Sequence, residues 1–132
     1  MPERRVVIDH LSIGVSDLAR SRDFYRRALA PLGFEELGAW SEASREVAFG
    51  PPGLDDFAIS SRHGIGSAHI AFAAESEDEV RAFHAAAIAA GGRDNGPPGP
   101  RPEYSEGYYG AFVLDPDGYN VEAVYHAAES YG

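Results

Sequence analysis

The chain has 132 residues, 44% apolar and 24% charged, which fits one globular domain or a tight pair of small modules. Eleven cations, all Arg, face 21 acids for a net charge of −10, which offers no basic face for nucleic acid but leaves room for an anionic substrate at one local cation. With no Cys, disulfides, thiolate zinc sites, iron–sulfur clusters and Cys nucleophiles are excluded, His and carboxylate remain the strong metal ligands, and no apolar run approaches the roughly 20 residues of a membrane span.

Met1-Pro2-Glu3-Arg4-Arg5 leads straight into a strand pattern. No signal peptide is expected, and the cytoplasm is the default compartment. Val6 to Val15 reads as a strand, with Leu11, Ile13 and Val15 on one face and Ile8, His10 and Ser12 on the other. A helix follows, capped by Ser16 or Asp17. Its buried stripe is Leu18, Ser21, Phe24, Tyr25, Ala28, Leu29 and Leu32, and Pro31 with Gly33 ends it. Shorter strands are expected at about 35–40, 45–50 and 55–60.

The second half opens with a strand over His69 to Ala73. Ser76 and Glu79 form a capping box, and Val80, Phe83, Ala87 and Ile88 make the buried stripe of a second helix. Gly91-Gly92 supplies its left-handed stop. The stretch from Gly92 to Pro102 is a loop by composition, with a weak strand somewhere in 93–107. Two strands close the half, Tyr108 to Leu114 and Tyr119 to Tyr125. Each half is therefore βαβββ, in modules of about 6–62 and 67–126, and residues 1–132 form one α+β domain.

The halves also match residue by residue. Ile8-Asp9-His10-Leu11-Ser12-Ile13 lies over Ser67-Ala68-His69-Ile70-Ala71-Phe72, and Phe24 and Gly33 meet Phe83 and Gly92 in the same frame. At the module ends, the turn before Phe57 lies over the turn before Glu122, which pairs those two residues. His10 and His69 are thus equivalent and should face a shared cavity. Glu122 sits in the apolar strand Tyr119 to Tyr125, where a carboxylate is costly unless paired or bound to a cation. Two imidazoles and one carboxylate suit one divalent metal, with positions left for water or substrate.

These motifs resemble the vicinal oxygen chelate superfamily, which includes glyoxalase I, bleomycin-resistance proteins, methylmalonyl-CoA epimerases, fosfomycin-resistance transferases and extradiol dioxygenases. The resemblance rests on Ile8-Asp9-His10-Leu11, on Ser16 to Tyr25 with Leu32-Gly33-Phe34, on Ser67 to Phe72, and on Leu114-Asp115-Pro116-Asp117-Gly118 leading to Glu122. It implies paired βαβββ modules forming a cup-shaped mixed sheet with helices outside. It carries His10, His69 and Glu122 over as ligands of Fe, Mn, Zn or Ni. The fourth ligand usual in glyoxalase I falls on Phe57, which favours the two-His-one-Glu face of the dioxygenases.

The implied function is a metal-dependent enzyme of the glyoxalase/dioxygenase type on a small vicinal-oxygen substrate. An extradiol-type dioxygenase ranks ahead of a lactoylglutathione-lyase-like lyase or isomerase, and a bleomycin-resistance-type binding protein is the rival. Tyr108 and Tyr109 are candidate catalytic residues; they alternate faces, so at most one points into the cup. Phe57, Tyr104 and Arg101 are candidate substrate contacts, with Arg101 suited to a carboxylate or phosphate. Trp40, with Leu37 and Phe49, covers the cup or sits in a dimer interface. His63, His84 and His126 carry no strong claim. Open cup edges favour a homodimer, with a small-molecule partner and neither nucleic acid nor membrane.

Overall fold

Two successive strand–helix–three-strand units appear in the computed structural model, which describes residues 10–38, 42–62, 64–66 and 68–127. The first unit is β1 (Leu11–Gly14), α1 (Leu18–Leu29), a 3-10 turn (Ala30–Leu32), β2 (Glu35–Leu37), a second 3-10 turn (Glu42–Ser44), β3 (Glu46–Gly50) and β4 (Phe57–Ser60). The second is β5 (His69–Ala73), α2 (Glu77–Ala89), β6 (Arg93–Pro100), β7 (Tyr108–Leu114) and β8 (Asn120–His126). Each unit makes its own four-stranded mixed sheet, ordered β1-β4-β3-β2 and β5-β8-β7-β6. The first strand of each runs parallel to the last, and the other pairs are antiparallel. Residues 6–9 of the expected first strand, Trp40 and His63 lie outside the described residues.

Local chemistry accounts for the helices. Asp17 caps α1 by accepting from the Arg20 N–H at 3.0 Å. Gly33, at φ 84°, stops the chain behind the 3-10 turn. Ser76 caps α2 through the Glu79 N–H, while the Glu79 carboxylate accepts from Glu75 N–H, one residue before the cap. The capping box is thus displaced by one residue on its return side.

One face of each sheet packs on its helix. Ile13, Val47, Phe49, Phe57 and Ile59 meet Phe24, Tyr25 and Leu29 in the first unit. Ile70, Phe72, Ala111, Val113, Val121 and Ala123 meet Val80, Phe83 and Ala87 in the second. The units join into one core through Phe57 and Phe72, whose ring centroids are 5.2 Å apart, and Phe34 and Phe72, at 5.6 Å. The buried Tyr25 hydroxyl donates to Asp115 at 2.6 Å, and the Tyr119 hydroxyl donates to the Gly14 carbonyl at 2.8 Å. Hydrogen bonds at such buried positions fix how the units sit together.

The weak strand expected somewhere in 93–107 lies at 93–100, within the stretch whose composition reads as a loop. β6 is an edge strand, so only one side of it needs N–H donors, and its prolines are tolerated there. Register shifts between Asp94 and Gly96 and between Gly96 and Gly99 absorb the irregular residues.

Candidate functional site

The sheet faces turned away from the helices carry the candidate chemistry. Val121 and Ala123 point into the core, so alternation turns Asn120, Glu122 and Val124 to the opposite face. On β7 the register partners Tyr108, Gly110, Phe112 and Leu114 share that face. On β5 so do His69, Ala71 and Ala73, each exposed while Ile70 and Phe72 are buried.

Glu122 is 1% exposed, yet its carboxylate is fully engaged. Its Oε1 lies 2.8 Å from His69 Nε2, and its Oε2 accepts the Tyr108 hydroxyl. The His69 side chain is half-exposed, so the pair has one buried and one open end. Burial and the Glu122 carboxylate push the Tyr108 hydroxyl well above the usual phenol range, with the Arg101 cation pulling weakly the other way. Tyr108 therefore stays protonated and donates to Glu122 across neutral pH.

Aromatic contacts extend the cluster. The His69 and Phe112 ring centroids are 5.9 Å apart, and the Arg101 guanidinium carbon lies 5.6 Å from the Phe112 centroid. Tyr104 meets Tyr108 edge-on at 5.1 Å, and His126 meets Tyr108 at 5.0 Å. Five expected site residues thus share one face: His69, Glu122, Tyr108, Tyr104 and Arg101. Phe112 and His126 join them and were not anticipated. Phe112 was legible as the position four after Tyr108 on the same strand face.

The other expected residues sit elsewhere. Tyr109 points to the helix side, where its hydroxyl accepts from Arg81 of α2 at 2.9 Å. Phe57 is a core residue, 2% exposed, packed on Tyr25 and Phe72. Its equivalence with Glu122 is also corrected by the register. Leu11 pairs with Phe57 and Ile70 pairs with Val121, so Phe57 matches Val121 and Ala58 matches Glu122. The place of a fourth ligand is therefore held by Ala58, which has no donor atom. His10 is exposed just before β1. Among the described residues no three His, Cys, Asp or Glu side chains converge as a ligand set. His84 instead meets Asp94, at 2.9 Å.

A groove of about 680 Å³ opens between the two units. Leu11, Phe34, Phe57, Ile70 and Phe72 line it together with Asp56, Glu75 and Glu79. Its walls include neither His69 nor Glu122, so the groove and the polar cluster are different places.

Residues 7–123 match the family model of the Glyoxalase/Bleomycin resistance protein/Dioxygenase superfamily. No curated protein is similar to the chain at a significant level. Among solved structures, a glyoxalase/bleomycin resistance protein from Albidiferax ferrireducens T118 is 33% identical, with TM-score 0.72, over 90% of this chain and 98% of that one. The fosfomycin resistance protein FosX from Listeria monocytogenes shares the fold at 23% identity and TM-score 0.66, over 96% of this chain and 98% of that one. A glyoxalase I variant from Zea mays does so at 22% identity and TM-score 0.60, over 89% of this chain and 43% of that one. The tandem βαβββ units, the match over most of the chain and the Albidiferax relative agree: the chain belongs to the Glyoxalase/Bleomycin resistance protein/Dioxygenase superfamily.

Proposed function

We propose that the protein is a metal-dependent enzyme of the cytoplasm, acting as a homodimer on a small molecule with two neighbouring oxygens. Ring-cleaving or related oxygen chemistry ranks ahead of a lyase or isomerase, because Ala58 leaves no second carboxylate to move protons beside the metal. The observation that carries the reading is the buried Glu122 carboxylate paired with the half-exposed His69 imidazole at 2.8 Å. A buried carboxylate needs such a partner or a cation, and N and O donors together suit Fe, Mn, Zn or Ni.

His10 is the third donor in this reading, supplied by a second copy of the chain. It is exposed immediately before β1, the outer strand of the first sheet, and no trio of donors converges within one chain among the described residues. A divalent cation held by these three residues would supply Lewis-acid stabilisation of negative charge developing on substrate oxygens. The residues around it have separate tasks. Tyr108 holds its proton and ties down Oε2, which turns Oε1 towards His69. Phe112 stands beside the His69 ring and Tyr104 beside Tyr108, so both flank the site.

A second reading is small-molecule sequestration without metal. The absence of a three-donor set among the described residues and the largely apolar groove between the units favour it. Metal analysis of the purified protein separates the two, coupled to an activity screen with Fe(II), Mn(II), Ni(II) and Zn(II) on catechols and hemithioacetals. The enzyme reading expects about one metal per chain, lost in His69→Ala. Metal-free wild type with tight ligand binding would sink it.

A further inference from the structure

Arg101 directly follows β6, and its guanidinium rests in a socket on the same face as His69 and Glu122. Nη2 donates to the Pro97 carbonyl at 2.7 Å, and Nη1 to the Pro100 carbonyl at 3.3 Å. The guanidinium carbon stands over the Phe112 ring. Two glycines make the space. A Cβ on Gly99 would come within 3.2 Å of Nη1, and one on Gly96 within 3.4 Å of Nη2 and 2.9 Å of the Phe112 ring. The strand is therefore bare where the guanidinium lies.

Charge makes the placement informative. Arg20, Arg22, Arg26, Arg27 and Arg81 each sit against an Asp or Glu. Arg45, Arg62, Arg93 and Arg101 have no such ion pair among the described residues, and of these Arg101 is the one whose guanidinium lies on the face of His69 and Glu122, over Phe112, in a chain whose net charge is −10. Two of the guanidinium's five N–H groups are spent on carbonyls, which fixes its orientation and leaves three to donate. A fixed, half-buried, uncompensated guanidinium is suited to a bidentate oxyanion.

We propose that Arg101 is the anion-recognising group of this site, and that the substrate class is a small organic oxyanion. Its carboxylate, phosphonate or phosphate seats on the guanidinium, and the rest of the molecule crosses Phe112 towards His69 and Glu122. The inference rests on the metal-enzyme reading only for what happens at the His69–Glu122 end.

The test uses benzoate, phenylphosphonate and neutral benzamide as probes, followed by ligand-detected NMR and calorimetry. The full chain is titrated metal-free and with Mn(II). Both anions should bind better than benzamide. Arg101→Gln should weaken them about tenfold or more, the loss expected of a charge-assisted pair. Arg101→Lys should recover part of the binding, since it keeps the charge without the fork. Gly99→Ala should give a smaller loss by tilting the guanidinium, and benzamide should not respond to any of the three. The ranking of benzoate against phenylphosphonate separates a carboxylate from a phosphoryl substrate. Anions that bind no better than benzamide, or equally well to Arg101→Gln, would overturn the inference, whether or not metal is taken up. Arg101-dependent anion binding in a protein that takes up no metal leaves the inference standing and removes the metal-enzyme reading. If Arg101→Gln fails to fold, the benzamide comparison and Gly99→Ala still decide.

Discussion

Asp115 shows how one residue ties the two units together. It is 3% exposed and accepts from the Tyr25 hydroxyl and from the backbone N–H groups of Asp117 and Tyr119. Burial nevertheless outweighs these bonds and holds its carboxyl above the usual range, while burial and the Asp115 charge push Tyr25 well up. The native state therefore keeps the Asp115 proton to higher pH than the unfolded chain does. Stability linked to that proton is fully present below about pH 4 and is lost as pH rises through the folded value. Tyr25→Phe should remove a hydrogen bond that favours the ionised form. The expected cost is about 1.5–3 kcal/mol at pH 7, as for hydrogen bonds to charged groups, and less near pH 4, as the raised carboxyl takes up its proton. Urea denaturation at the two pH values checks this, and an equal loss at both would refute the link to Asp115. The Tyr108–Glu122 pair resembles it in chemistry, but there the carboxylate has a half-exposed neighbour in His69.

Between elements, one tight joint is at Gly92, where α2 gives way to β6. A Cβ there would lie 2.5 Å from Val113 Cγ1, 2.7 Å from the Phe24 ring and 2.9 Å from the Ala87 carbonyl. β7, α1 and α2 all converge on that point, so no single side chain can move aside freely. Gly92→Ala should cost about 1–3 kcal/mol through overpacking, read as a lower denaturant midpoint at unchanged slope. The alignment of Gly33 with Gly92 in the repeat marked this glycine as a helix stop. Its role as a packing point depends on Phe24 from the other unit and was not visible locally. The same division holds elsewhere. Strand and helix order was legible because apolar residues recur with the right period and caps fall where helices begin. β6 was legible only as a weak strand of unplaced bounds, because an edge strand with bulges tolerates the prolines and glycines that signal a loop. The match of Phe57 to Glu122 failed for a geometric reason. The two hairpins are equally long, Phe49 pairing with Phe57 and Val113 with Val121, so Gly50 lies over Leu114 rather than Asp115, and laying the turns one residue out moves a side chain to the opposite face. Of the site, His69, Glu122 and Tyr108 were readable from repeat, burial cost and alternation. The socket around Arg101 was hidden by its prolines and glycines.

At the scale of the whole molecule, the proposed metal site needs its third donor from elsewhere, because among the described residues no three donors converge within one chain. β1 and β5 are the outer strands of separate sheets, and among the described residues each leaves one edge without a strand partner. Exposed edges favour association, and a twofold axis would bring the first sheet of one copy to the second sheet of the other. Under that arrangement each dimer holds two sites, each built from His10 of one chain with His69 and Glu122 of the other. Complementation gives a direct check. His10→Ala and Glu122→Ala should each abolish stoichiometric metal uptake alone. Once the two variants are unfolded together and refolded as a mixture, heterodimers regain one intact site, because the chain altered at His10 still offers His69 and Glu122 while its partner still offers His10. Random pairing should return about a quarter of the wild-type metal content, since about half the dimers are mixed and each carries one good site. A site assembled within a single chain would show no recovery on mixing. A monomer by sedimentation at micromolar concentration would remove the shared site altogether, leaving His69 and Glu122 as a hydrogen-bonded pair on a binding surface.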